Sequence, residues 1–215
     1  MNGYPLKISA FRNPWAGADN SKMITAVNAV EKSDNDLVKE ASSGRSLAFK
    51  ELVERYQKRA YLFARGMVHN TDDAYDLSQE AFVRVYKHLK RFDYAYPFRV
   101  WLFHILSNLC KNHIRQRKTR ENVVADTGDE MPEGISQTGN PDIMFNRSET
   151  QTQVWEAIGK LPEKFREIII LSHFQEMSYD QMAQVLEIPR GSVMSRLYYA
   201  RLKLREILEE MGVEL

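Results

Sequence analysis

With a single cysteine, Cys110, in 215 residues, the chain can form neither an internal disulfide nor a cysteine-built zinc site. Such sparing use of cysteine fits a reducing, cytosolic compartment. Long apolar runs are missing too. The most apolar stretch lies near Ile168 to Leu171, far short of the roughly 18 residues needed to span a bilayer. The N-terminal residues include Lys7, Arg12 and Lys22 but no apolar segment of signal-peptide length. A soluble, cytoplasmic chain without membrane insertion is expected. The parts from which common enzymes are built are equally scarce. There is no Gly-rich phosphate loop and no Gly-x-Ser-x-Gly, and Cys110 has no activating partner in sequence. His69, His88, His104, His113 and His173 show no metal-ligand pairing with carboxylates. The expectation is no enzyme, no cofactor, no metal and no small-molecule substrate. No segment alternates apolar and polar residues with period two, so the expected class is all-α.

What is present is charge, unevenly spread. The net +1 hides a block at 35–118 with 16 basic and 9 acidic side chains. It is followed by 119–150 with 2 and 7, and by 151–215 with 8 and 10. A basic block before an acidic connector points to a polyanionic partner for the first block.

Residues 1–34 mix Gly, Pro, Asn and Ser with isolated Phe11 and Trp15 and show no period. They read as a disordered extension. From Asp36 the period is helical. A short helix over Leu37 to Ala41 stops at Gly44. A longer one carries Phe49, Leu52, Val53, Tyr56, Ala60, Phe63, Ala64 and Met67 on one face. Thr71 is read as the cap of a third helix, with Asp72 and Asp73 in its positive first turn. Residues 121–150 read as a linker, and its length argues for a domain on either side, at 35–120 and 151–215. Past Val154, Ile158 and Leu161, Pro162 opens a new helix. Ser178 and Gln181 form a capping box, and a turn over Glu187 to Gly191 precedes a helix carrying Val193, Leu197, Ala200, Leu204 and Leu208.

Two stretches carry binding chemistry. Phe92 to Lys118 runs from an aromatic loop (Phe92, Tyr94, Tyr96, Phe98) into a two-faced helix. Trp101, Leu102, Ile105, Leu106 and Leu109 line one side, and His104, Asn108, Lys111, Asn112 and Arg115 the other. Amides and cations beside aromatics can hold a nucleic-acid strand; the alternative is a core helix with a solvated face. Ser178 to Arg205 has the proportions of a helix-turn-helix. In that motif Arg190, Ser192, Met194, Ser195, Arg196, Tyr198, Tyr199 and Arg201 would face a major groove; the alternative is a plain helical hairpin. Asp76 and Glu80 share a helical face, as a solvated surface or a docking patch.

Together these residues resemble a family. Asp73-Ala74-Tyr75-Asp76-Leu77-Ser78-Gln79-Glu80-Ala81-Phe82 is similar to the D-A-x-D-L-x-Q-E-x-F signature of bacterial RNA polymerase sigma factors of the extracytoplasmic-function class. Phe98, Trp101-Leu102, Ile105 and Asn108 match the pattern that follows it there. Leu161 to Glu167, Ser178-Tyr179 and Gly191 to Arg201 look like the second domain of those proteins. The resemblance implies a transcription initiation factor, two helical domains on a flexible acidic linker. The first would dock on core RNA polymerase through Asp76, Gln79, Glu80, Arg84 and Lys87. It would also open the −10 promoter element through Phe92, Tyr94, Tyr96, Phe98, Asn108, Lys111, Asn112 and Arg115. The second would read the −35 element with Ser192 to Arg201, and an anti-sigma factor would hold the protein inactive. Two departures stand out. Family members commonly carry Lys or Arg where Met194 stands and Arg where Tyr199 stands. The 34-residue extension is longer than usual, and no regulatory domain is expected after Leu215. Two other readings remain on residues alone: a helix-turn-helix regulator of another kind, and a metal-dependent nucleic-acid hydrolase using Asp76 and Glu80.

Overall fold

A computed structural model describes residues 32–127 and 149–213. The N-terminal extension with Phe11 and Trp15, and most of the expected linker, lie outside the described residues. The class is all-α. Four helices form the first unit: α1 (Asp34–Ser42), α2 (Ser46–Val68), α3 (Thr71–His88) and α4 (Phe98–Thr127), with a 3-10 turn at Leu89–Arg91. Four more form the second: α5 (Glu149–Lys160), α6 (Glu163–Ile169), α7 (Tyr179–Leu186) and α8 (Arg190–Glu210), with a π turn at Ile170–Phe174.

The helix ends follow local chemistry. The Ser33 hydroxyl accepts from the Asp36 backbone N–H at 3.2 Å and starts α1. Gly44, at φ +94°, takes the left-handed turn into α2, a conformation that glycine adopts without strain. The third helix starts one residue earlier than the sequence suggested. Asn70, not Thr71, is its cap: the Asn70 side chain accepts from the Asp73 N–H at 2.9 Å, and Thr71 is already helical. Gly191 also sits differently from expectation. The left-handed residue between α7 and α8 is Glu187, at φ 53°, and Gly191 lies in the first turn of α8. At its far end α4 runs through Thr127, past the boundary drawn at 120. An Arg117–Glu121 pair at 2.8 Å, four residues apart, supports the helix across that boundary.

In the first unit, Leu52, Phe63 and Met67 of α2 pack against Phe82 and Val85 of α3 and Phe98, Leu102, Phe103 and Leu106 of α4, all buried. The Phe63 and Phe103 rings meet edge-on at 5.4 Å, as do Tyr56 and Phe98. Each such side chain contributes about 1.5–3 kcal/mol by leaving water. In the second unit Ile158, Leu161, Ile168, Ile169, Met182, Val193, Leu197 and Ala200 form the centre.

The two buried sets join into one cluster. The C-terminal turns of α2 receive α5, α6 and the π turn, and α4 receives α7. Gly66 makes the first contact possible, since a Cβ there would stand 2.6 Å from the Trp155 ring and 2.7 Å from Ile170 Cδ1. Polar groups finish the seam. Arg166 donates to the Met67 carbonyl of α2 at 2.7 Å, and to the Gly159 and Leu161 carbonyls at 2.7 and 3.0 Å. Buried Gln175, just past the π turn, donates to the Arg59 carbonyl at 3.3 Å. Glu167, also buried, accepts from the Ser107 hydroxyl and pairs with Lys111 at 3.1 Å.

Candidate nucleic-acid interface

The outward face of α3 carries Asp76, Gln79, Arg84 and Lys87 exposed, with Glu80 half-buried. Arg84 and Glu80 pair at 2.7 Å, four residues apart and in contact with water. Such a pair contributes well under about 1 kcal/mol, so it can exchange partners readily. Sequence reasoning missed the apolar companions of this face. Tyr75, Val83 and Tyr86 stand exposed on α3, and Leu47 of α2 is 78% exposed. Tyr86 rests on Phe49, ring centroids 4.9 Å apart. The signal was available: positions 75, 79, 83 and 86 share a helix face, and two aromatics among acids mark a contact surface better than acids alone.

The aromatic loop divides into two kinds of residue. Phe92 and Phe98 were expected to meet a strand, yet both are buried. They cluster with Trp101, Phe92 tilted against it at 5.2 Å and Phe98 edge-on at 6.2 Å, and their rings anchor the loop to the core. Tyr94 and Tyr96 remain exposed, with Tyr94 standing on Phe92 at 5.0 Å.

On α4 the polar stripe is partly occupied. Asn108, Asn112 and Arg115 are exposed, and Arg115 donates to the Asn112 side chain at 3.0 Å. Lys111 is committed to Glu167. His104 contacts the Val185 carbonyl of α7 through Nδ1 at 3.2 Å and Asn108 through Nε2 at 3.1 Å. A carbonyl can only accept, so Nδ1 carries the proton and Nε2 accepts from the Asn108 amide. Arg99, in the first turn of α4, donates to the Gln181 side chain and to the Glu176 carbonyl. Gln181 is itself half of the α7 capping box, so the start of α7 is tied to the start of α4. Between loop and α7 lies a cleft of about 460 Å³, with Phe92, Tyr96, Trp101 and His104 on one side and Gln184 and Glu187 on the other.

The second surface is α7 and α8. Ser178 accepts from the Gln181 N–H at 3.2 Å and Gln181 accepts from the Ser178 N–H at 3.1 Å, the reciprocal pair expected from sequence. Three residues, Glu187 to Pro189, then connect to α8. Arg190, Met194, Ser195, Tyr198 and Tyr199 are exposed on it, and Ser192 and Arg196 half-buried. The Tyr198 and Tyr199 rings meet edge-on at 5.4 Å. Arg201 departs from expectation: it is half-buried and donates through Nε to His173 Nε2 at 3.4 Å. Burial first, and the Arg201 charge second, lower the His173 pKa to about 4, which keeps Nε2 free to accept. His69, at the end of α2, is likewise lowered to about 4 by burial and then by Arg166. The Cys110 thiol is pushed up, mainly by burial, and is no nucleophile. Among the described residues no group of three or more His, Cys, Asp or Glu could hold a metal, and no helix is long and apolar enough to cross a membrane.

The comparisons with known proteins fall on these same surfaces. The family model described as Sigma-70 region 2 matches residues 52–120, and Sigma-70, region 4 matches residues 151–204. The RNA polymerase sigma-H factor of Pseudomonas aeruginosa is 31% identical over 186 residues, covering 84% of this chain and 96% of that protein. The ECF RNA polymerase sigma-E factor of Escherichia coli K12 is 32% identical over 174 residues, covering 78% and 90%. A co-crystal structure of the sigma factor RpoE with the anti-sigma factor NepR from Bartonella quintana is also similar. It has a TM-score of 0.60 and 25% identity, and covers 75% of this chain and 96% of that one.

Proposed function

Because the chain belongs to the sigma-70 family, among the extracytoplasmic-function (ECF) sigma factors, we propose residue roles for it as a non-catalytic cytoplasmic initiation factor. The outward face of α3, with Asp76, Gln79, Glu80, Arg84 and Lys87, docks on core RNA polymerase. Exposed Tyr75, Val83 and Tyr86 supply the apolar part of that contact. The −10 element is captured as a single strand by Tyr94 and Tyr96, which can stack on bases, and by Asn108, Asn112 and Arg115 along α4. The −35 element is read as duplex by α8, through Arg190, Ser192, Met194, Ser195, Arg196, Tyr198 and Tyr199. Residues 35–120 and 151–215 act as the two domains, joined by 121–150. The observation that carries the reading is a pairing within one chain. An aromatic loop with an amide-rich helix falls in the first matched region, and a capped helix-turn-helix falls in the second.

The seam adds a regulatory reading. With α7 held on α4 through Arg99 and His104, a strand cannot lie along the full length of α4. The chain as it stands is therefore a shut form that parts before −10 capture. An anti-sigma factor acts by holding such a form, a reading supported by the similar RpoE–NepR complex.

Run-off transcription with bacterial core polymerase on a genomic promoter library tests the function. Specific transcripts are expected, and Glu80→Lys should abolish both polymerase co-purification and transcription. If Glu80→Lys retains polymerase, the docking face is wrong; if no specific transcript forms, the whole reading falls.

A further inference from the structure

The middle of the exposed face of α8 carries no cation. A guanine edge offers two acceptors to the major groove, so reading it takes a donor, most often a cation. Here Arg201 is turned inward to His173, and Arg190 leans back to Asp180 at 3.5 Å. Arg196 is half-buried on the flank away from Met194. The middle of the face is apolar and aromatic instead: Met194 is 52% exposed, with Tyr198 and Tyr199 one turn on. A thioether has no proton to donate and accepts only weakly, so it reads neither guanine nor adenine by hydrogen bonding. The one apolar feature of the major groove is the C5-methyl of thymine, and a flexible, polarisable side chain packs well on it.

Position supports the same partner. The eight helical steps from Arg190 to Tyr198 rise about 12 Å, close to the width of the major groove. Met194 lies midway along that span, and Tyr198 and Tyr199 stand exposed about one turn further on. Gly191 is the second, independent observation. It is exposed, lies within the first turn of α8, and a Cβ added there would meet nothing within 4 Å. Its φ is not positive, so neither packing nor backbone conformation asks for glycine, although glycine weakens a helix relative to alanine. Gly191 stands three residues before Met194, on the same side of the helix. A bare backbone there lets α8 lie closer to the base edges and brings Met194 within reach of them.

We propose that Met194, admitted to the groove by the bare backbone at Gly191, reads the C5-methyl of a thymine in the upstream duplex element. This rests on α8 being the duplex-reading helix. The test uses full-length chain with bacterial core polymerase. A promoter library randomised upstream first yields the selected element. Each of its thymines is then replaced singly by deoxyuridine, which removes only the methyl group. One replacement should lower initiation by about fourfold, the worth of one methyl. With Met194→Ala that replacement should have no effect, while Met194→Leu, still apolar, should keep the sensitivity. Uridine sensitivity that persists unchanged in Met194→Ala, or is absent from the natural chain, overturns the proposal. Selection of no upstream element at all would instead overturn the assignment of α8 to duplex DNA, and the proposal with it.

Discussion

The two long helices assigned to DNA, α4 and α8, sit in the same molecule under opposite conditions. Along α4, four polar side chains are engaged by the other unit: Arg99 by Gln181 and Glu176, His104 by Val185, and Ser107 and Lys111 by Glu167. Along α8, Met194, Ser195, Tyr198 and Tyr199 stand open. A helix meant for duplex DNA can stay open, because a groove approaches it from outside. The helix proposed for a separated strand has these four side chains engaged while Asn108, Asn112 and Arg115 stay exposed, so the other unit restricts part of its length. On the proposed roles, parting the units would bear on −10 capture and not on −35 reading.

Breaking the cover should show the largest effect. Gly66→Leu drives a side chain into Trp155 and Ile170, and overpacking of this kind costs about 1–3 kcal/mol. Gly66 touches none of the proposed DNA contacts. The expected outcome is a larger radius of gyration by small-angle scattering and tighter binding of a fluorescent single-stranded −10 oligonucleotide, with duplex −35 binding unchanged. An unchanged radius together with unchanged strand binding would mean that the seam does not govern access to α4.

Acid sharpens the comparison from the other side. His173 has a folded pKa of about 4, below the roughly 6.5 of an unfolded histidine. The unfolded chain therefore takes up the proton first. The stability from keeping this ring neutral is full above pH about 6.5 and is lost as pH falls towards 4. For a half-buried ring this amounts to about 1–2 kcal/mol. His69, at the seam beside Gly159, has the same direction of shift. Amide protection factors, corrected for the intrinsic pH dependence of exchange, should fall in α8 and along the seam between pH 6.5 and 4.5, before they do in the α2–α3 core. A uniform fall in protection would remove the role given to these rings.

The smallest effect concerns α8 alone. Gly191→Ala should stabilise the isolated chain by about 0.5–1 kcal/mol, read by thermal melting, and still lower initiation at the chain's own promoters. Gains in both stability and initiation would show that the groove does not need the bare backbone.

Much of this was legible from spacing. The apolar faces of α2, α3 and α8, the Ser178–Gln181 capping box and the exposed Met194 follow from local periodicity and cap chemistry, which sequence records directly. The seam does not. Arg166 reaches Met67 across 99 residues and Gln175 reaches Arg59 across 116, and neither contact leaves a local pattern. Gly66 carries no signal in its own neighbourhood because its meaning is supplied by Trp155. Phe92 and Phe98 were misplaced for a related reason. An aromatic beside a loop has the same appearance in sequence whether its ring meets a base or three neighbouring rings. Arg201 was misread because the half-buried His173 that turns it inward lies 28 residues away.

The seam is a contact within one chain, and that has a consequence for how the protein responds to its surroundings. Dilution cannot open it, and raising the protein concentration cannot close it. What counts is the fraction of molecules open at any moment, because the apparent affinity for a strand is the intrinsic affinity multiplied by that fraction. Each further 1.4 kcal/mol favouring the shut form weakens strand binding about tenfold. Any molecule that binds only one of the two forms then changes promoter opening without touching a single base-contacting residue.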